Sequence, residues 1–186
     1  MSMLRTSLMA AAFLSAAGAA SATQVCGATV HSRYEETRAY FGNTLGACRP
    51  DGYCSAVIAL TAPDDQAAYA QQLRIARPTP GAAYVVELVA VTPMNAGDAL
   101  PMSVSFGRRT IDLAGRAQLP QGEANLFRII DTATVDAIVA GARRSNTMRW
   151  RYQSQTGPAE AWFALGGVTR ALAWIDCMGR REDAGL

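Results

Sequence analysis

The 186-residue chain predicts a mainly β domain, an antiparallel sandwich or curled sheet closed by one or two C-terminal helices. Three observations point there. Between Cys54 and Leu113 short apolar and β-branched runs are bounded by Gly, Pro, Asn and Asp. Met148-Arg149-Trp150-Arg151-Tyr152 alternates strictly between apolar and charged residues. Helical periodicity enters only late, over Ala133–Ala140 and Val168–Cys177.

In chain order, Thr23–Gly52 is the least patterned part, with a polar helical patch over Ser32–Arg38 and a strand over Phe41–Cys48. Strands follow at Cys54–Leu60, Gln72–Ala76, Ala83–Val91, Met102–Phe106 and Thr110–Leu113. The run Tyr84–Val91 is apolar enough for a central strand, whereas Leu73 and Ile75 beside Arg74 and Arg77 read as a strand with one solvated face. Asp131 or Thr132 caps the first helix, and Gly141 offers its stop. In the next strand Met148, Trp150 and Tyr152 point inward and Arg149 and Arg151 outward, with Ala161–Leu165 as its partner. Val168, Ala171, Leu172 and Ile175 then share one face of the last helix.

The amino terminus reads as an export signal. Met1–Ala22 carries one charge, Arg5, then an alanine- and leucine-rich stretch too short to span a bilayer, and ends in Ala20-Ser21-Ala22. Residues 23–186 are then one domain with a formal charge of +1, too near neutral for a nucleic-acid partner. All the basic residues are arginine, which removes Schiff-base chemistry and a phosphate-loop lysine. The rest of the chain contains no transmembrane-length apolar stretch.

Cys26, Cys48, Cys54 and Cys177 form an even set in an exported chain, so disulfides are expected. Pro50-Asp51-Gly52 marks a turn that brings Cys48 to Cys54, which leaves Cys26 with Cys177 as the long tether. One histidine, His31, and the lack of a Cys-x-x-Cys knuckle argue against zinc and thioredoxin-like redox chemistry. There is no Gly-x-Ser-x-Gly elbow, and Glu35-Glu36 and Asp64-Asp65 are adjacent acids without the geometry of an acid/base pair. Gly166-Gly167 reads as a tight strand-to-helix turn. No catalytic residue, cofactor or metal site is predicted. Arg108-Arg109, Arg143-Arg144 and Arg180-Arg181 are basic pairs, and Arg149, Arg151, Arg108 and Arg109 are the candidate partner surface.

The closing segment Ala161–Asp176 resembles that of the invasion-associated locus B family and of a related proteobacterial periplasmic domain family. Leu165, Gly167, Ala171 and Leu172 fit a Leu-x-Gly-x-x-x-Ala-Leu pattern, and Cys48 with Cys54 resembles an early cysteine pair. The match spans Tyr40 to Arg181. Cys177-Met178-Gly179-Arg180 stands where the related family shows an Arg-Gln-Gly-Arg-like ending, and Phe41 is the nearest substitute for a tryptophan before the early pair. The resemblance implies an immunoglobulin-like β-sandwich in the periplasm of a Gram-negative bacterium and carries no catalytic residue to transfer. The function expected is a non-enzymatic periplasmic binding or envelope-associated protein, with an envelope or host protein as partner. Its alternatives are an inhibitor of an envelope-targeted hydrolase such as lysozyme and, third, a small hydrolase using His31.

Overall fold

A computed structural model describes residues 23–61, 69–95 and 101–183; the predicted leader Met1–Ala22 and the pair Asp64-Asp65 lie outside them. The strands are β1 (Gln24–Val25), β2 (Ala28–Thr29), β3 (His31–Arg33), β4 (Glu36–Phe41), β5 (Thr44–Cys48), β6 (Cys54–Leu60), β7 (Gln71–Arg77), β8 (Val85–Ala90), β9 (Ser103–Phe106), β10 (Arg109–Asp112), β11 (Ala117–Gln118), β12 (Leu126–Ile129), β13 (Thr147–Ser154) and β14 (Gly157–Ala164). Helix α1 (Thr132–Arg144) lies before β13 and α2 (Val168–Asp183) ends the described chain. An eight-stranded sheet has the order β11-β12-β8-β7-β6-β5-β4-β3, and a four-stranded sheet the order β10-β9-β13-β14. Every pairing is antiparallel, and β3 to β8 run as a meander of sequence neighbours.

Local sequence explains most of these elements. β13 buries Met148, Trp150, Tyr152 and Ser154 on one face and turns Arg149 and Arg151 to the other, the period of two that a half-buried strand demands. β8 lies between β7 and β12 and is buried from Val86 to Ala90. Asp131 caps α1, its side chain accepting from the Thr134 amide at 2.9 Å.

Four expectations change. Ser32–Arg38 is a hairpin, β3 turning into β4 at Tyr34-Glu35, both with positive φ, a tight turn whose twist suits antiparallel strands. Its polar residues carry no apolar stripe that would have held a helix against the core. Phe41–Cys48 is broken at Gly42, where φ is +62°, so it forms the end of β4, a turn and β5. Gly141 does not stop α1, which continues to Arg144; it lets the helix approach Phe106, whose ring would sit 2.6 Å from a Cβ there. Arg77 shares the parity of Leu73 and Ile75, and it therefore faces α2, where its Nε donates to Asp176 at 2.8 Å.

The core is one cluster of buried side chains drawn from both sheets and both helices. α2 packs on β4, β5 and β6, and α1 on α2, β8, β9 and β10. Trp174 is buried over Gly46, where a Cβ would lie 2.7 Å from the indole, and its Nε1 donates to the Val25 carbonyl at 3.0 Å. At the head of α2, Gly166 accepts from the Asn43 amide and the Thr44 hydroxyl, each at 3.0 Å. Gly167, at φ +93°, touches the Phe41 carbonyl so closely that a Cβ would overlap its oxygen.

Cys26 is bonded to Cys177 across a separation of 151 residues and Cys48 to Cys54 across 6. If loop-closure entropy governs, removing the long link costs about 5 kcal/mol and the short one about 2 kcal/mol. Urea unfolding of the two paired Cys→Ser variants therefore ranks the Cys26/Cys177 variant lower, and the reverse order rejects this account. Gly167→Ala combines left-handed strain with overlap of backbone and loses about 3 kcal/mol or more. Gly107→Ala, at φ +59° in open space, loses only about 1 kcal/mol in the same measurement.

Candidate functional site

Directly paired residues of antiparallel strands share a face, so register shows which predicted arginines meet. Arg149 pairs with Ser105 and Trp162, and Arg151 with Ser103 and Glu160. All lie on the open face of the four-stranded sheet. Glu160 Oε2 stands 3.7 Å from Arg149 Nη1 and 3.2 Å from Arg151 Nε. Trp162 is 55% exposed, yet its indole N–H donates to Glu160 at 2.6 Å and the Arg149 guanidinium lies 5.1 Å from its ring centroid. The indole bond, followed by the two guanidinium groups, holds the Glu160 carboxyl below its ordinary range. Arg108 and Arg109 are exposed at the β9–β10 hairpin, and Arg109 pairs with Phe106, which is buried against α1. Arg109 is therefore in register with the opposite face from Arg149 and Arg151. The sequence grouped four arginines; the fold brings two of them together.

A second charged surface lies on the face of the large sheet opposite α2, and the sequence did not single it out. The register Leu45–Val57–Arg74–Glu87–Arg128 runs across β5, β6, β7, β8 and β12. Glu87 is only 3% exposed. Its Oε1 accepts from Arg128 at 2.9 Å, its Oε2 accepts from the Tyr53 hydroxyl at 3.3 Å, and Arg74 Nη1 is 3.8 Å away. Further along the face Arg38 donates through Nε and Nη2 to Glu36 at 2.9 and 2.6 Å. The signals were Glu87, the one charge in an apolar run, and the parity of Gln72 with Arg74. What the sequence alone leaves open is the order in which the strands lie side by side.

A third polar cluster joins the helices to the large sheet. Asp176 on α2 accepts from Arg77 and from the Tyr84 hydroxyl, with Arg143 of α1 at 4.0 Å; Arg77 also donates to the Ala82 carbonyl. His31 sits exposed on the edge strand β3, its ring 6.2 Å from that of Tyr40. Among the described residues no three His, Cys, Asp or Glu side chains converge as metal ligands, and no helix there is long and apolar enough to cross a membrane.

The two phenols in these clusters are poised against proton transfer at neutral pH. Burial, then the neighbouring Glu87 carboxylate, pushes Tyr53 up to about 12; burial, then the hydrogen bond to Asp176, does the same to Tyr84, also to about 12. An unfolded tyrosine ionises near 10. Both folded values are raised, so the stability gained from the neutral phenols is complete below pH 10 and is lost as pH rises through about 12. Urea midpoints should therefore fall steeply over that interval, and Tyr53→Phe with Tyr84→Phe should flatten the fall. An absorbance titration in which every tyrosine of the folded chain ionises near pH 10 contradicts this.

No family model and no curated protein matches the sequence. Among solved structures, the chain is similar to one described as the crystal structure of invasion associated protein b from Bartonella henselae, with a TM-score of 0.57 at 11% identity, covering 77% of this chain and 98% of that one. At that identity the likeness is one of fold; this chain itself is mainly β, with large antiparallel sheets and two C-terminal helices.

Proposed function

We propose that this chain is a non-enzymatic binding domain of the periplasm, exported through Met1–Ala22 and associated with the cell envelope. Its partner is an envelope or host protein, gripped by the open face of the four-stranded sheet. In this reading the two sheets are the layers of an immunoglobulin-like sandwich, and the family resemblance extends from fold to location. The observation that carries the proposal is Trp162, a large aromatic left 55% exposed and held in one orientation by Glu160 and Arg149. Binding hot spots are enriched in tryptophan and arginine, and a side chain fixed before binding loses less entropy on docking. Arg149 and Arg151 flank it, while Arg108 and Arg109 are assigned no contact on that face.

A non-catalytic role is supported by the chemistry of the other clusters. Tyr53 and Tyr84 are held protonated far above neutral pH, whereas a general acid or base works best near the operating pH. Glu160 and Asp176 are engaged by arginines, an arrangement that holds charge in place.

Cross-linked pull-down from native envelopes tests the reading. The intact chain retains a reproducible protein, and Trp162→Ala weakens its capture about thirtyfold, the scale of a hot-spot loss of about 2 kcal/mol. Because Trp162 is on the surface, the melting temperature of the variant stays within a few degrees of the parent. Equal capture by both, or no reproducible partner, overturns the proposal.

A further inference from the structure

The large sheet carries a cavity of about 170 Å³ on its face away from α2. Its shape follows from side-chain length along register. Ala47 and Ser55, directly paired on β5 and β6, form a floor of small residues that are themselves nearly buried. Arg38 on β4, Arg49 and Tyr53 on the hairpin after β5, and Arg74 on β7 form the walls.

Each wall guanidinium is oriented by a planar contact. Arg38 uses its Nε/Nη2 edge on Glu36, and Arg74 uses the same edge on Gln72, at 2.9 and 2.7 Å. Arg49 lies over the Tyr53 ring, 4.7 Å from its centroid. The remaining donors of Arg38 and Arg74 fall outside these bonds. Glu36, the single lining carboxylate, is shared by Arg38 and by Arg49 at 3.6 Å, and Glu87 beneath is shared by Arg128 and by Arg74 at 3.8 Å, so four guanidinium groups against two carboxylates leave two positive charges in excess.

From this cradle we infer a binding site for a phosphate monoester group. Arginine's fixed fork matches phosphate oxygens, and its planar charge is weakly hydrated. Three guanidinium groups reaching in from β4, β7 and the β5–β6 hairpin suit a tetrahedral oxyanion, and a dianion neutralises the two excess charges. A planar monoanionic carboxylate meets one fork and neutralises half. The site is on a different sheet from Trp162, so this inference and the partner-surface reading stand or fall separately.

Backbone NMR titration of the chain with methyl phosphate, with acetate alongside, is the test. Saturable shifts confined to β4–β7 are expected, with acetate much weaker. Arg49→Gln and Arg74→Gln should each weaken binding about tenfold, as loss of a charge-assisted hydrogen bond does; Arg149→Gln should leave it unchanged. Arg49 is half exposed, so its variant keeps the fold, which circular dichroism confirms in parallel. Co-sedimentation with phosphatidylcholine vesicles, with and without phosphatidic acid, separates the sources: retention that methyl phosphate reverses assigns a lipid headgroup, and methyl phosphate binding without retention assigns a soluble ester. Shifts that never saturate, that spread over all surface arginines, or that acetate reproduces equally overturn the site, as do unchanged affinities in Arg49→Gln and Arg74→Gln.

Discussion

The approach of α2 to the large sheet is the constraint on which the other features depend. A helix can lie this close to β4–β6 because Gly46 presents no side chain beneath Trp174 and because Gly167 lets the backbone of the incoming turn touch Phe41. The same contact is tied by the Asn43 amide and the hydroxyl of buried Thr44, which both donate to Gly166. Trp174 then carries the constraint to the amino terminus through Val25, and the Cys26–Cys177 bond makes it covalent. With one face of β4–β6 committed to α2, the charged residues of opposite parity are left on the other face, where the cavity forms.

That division explains why the polar clusters differ in kind. Asp176 is on the helix side, so its partners come from elements meeting there: Arg77 of β7, Tyr84 before β8 and Arg143 of α1. It links layers, with charges placed where burial is incomplete. Glu87 belongs to a row within one sheet, and its arginine partners, Arg74 and Arg128, are cross-strand neighbours. Long arginine side chains suit this position because their stems cover apolar floor while their heads remain hydrated.

Legibility followed range. β13 could be read because its periodicity is complete within a few residues, and the Cys48–Cys54 hairpin because its turn chemistry lies between the cysteines. β3 and the start of β4 could not, since their polar residues gain strand structure from pairing, β3 with β4 and β4 in turn with β5, a ladder the local pattern does not name. Arg77 was misplaced by adjacency to Arg74 in the sequence, where counting parity from Ile75 puts it inward. β12 went unread because it is short and its neighbour in the sheet, β8, is distant in the chain. Arg149 and Arg151 stand two residues apart, so their shared face was visible at once. The cavity gathers residues from β4, β5, β6 and β7, and recognising it requires register across all four strands.

The buried carboxylate at the centre of this face is better understood as a positioning device than as a source of stability. Removing one partner of a buried ion pair leaves an uncompensated charge and is strongly destabilising, while an apolar replacement of the whole cluster is often neutral or stabilising. A central strand such as β8 would therefore tolerate a leucine at Glu87 if Arg74 and Arg128 changed with it. What such a replacement could not supply is direction. Glu87 draws Arg128 and the Tyr53 hydroxyl inward and lies near Arg74, and the Tyr53 ring in turn supports Arg49. Through Tyr53, the placement of Arg49 at the rim of the cavity thus depends on a charge buried beneath it, while Glu36 and Gln72 fix Arg38 and Arg74.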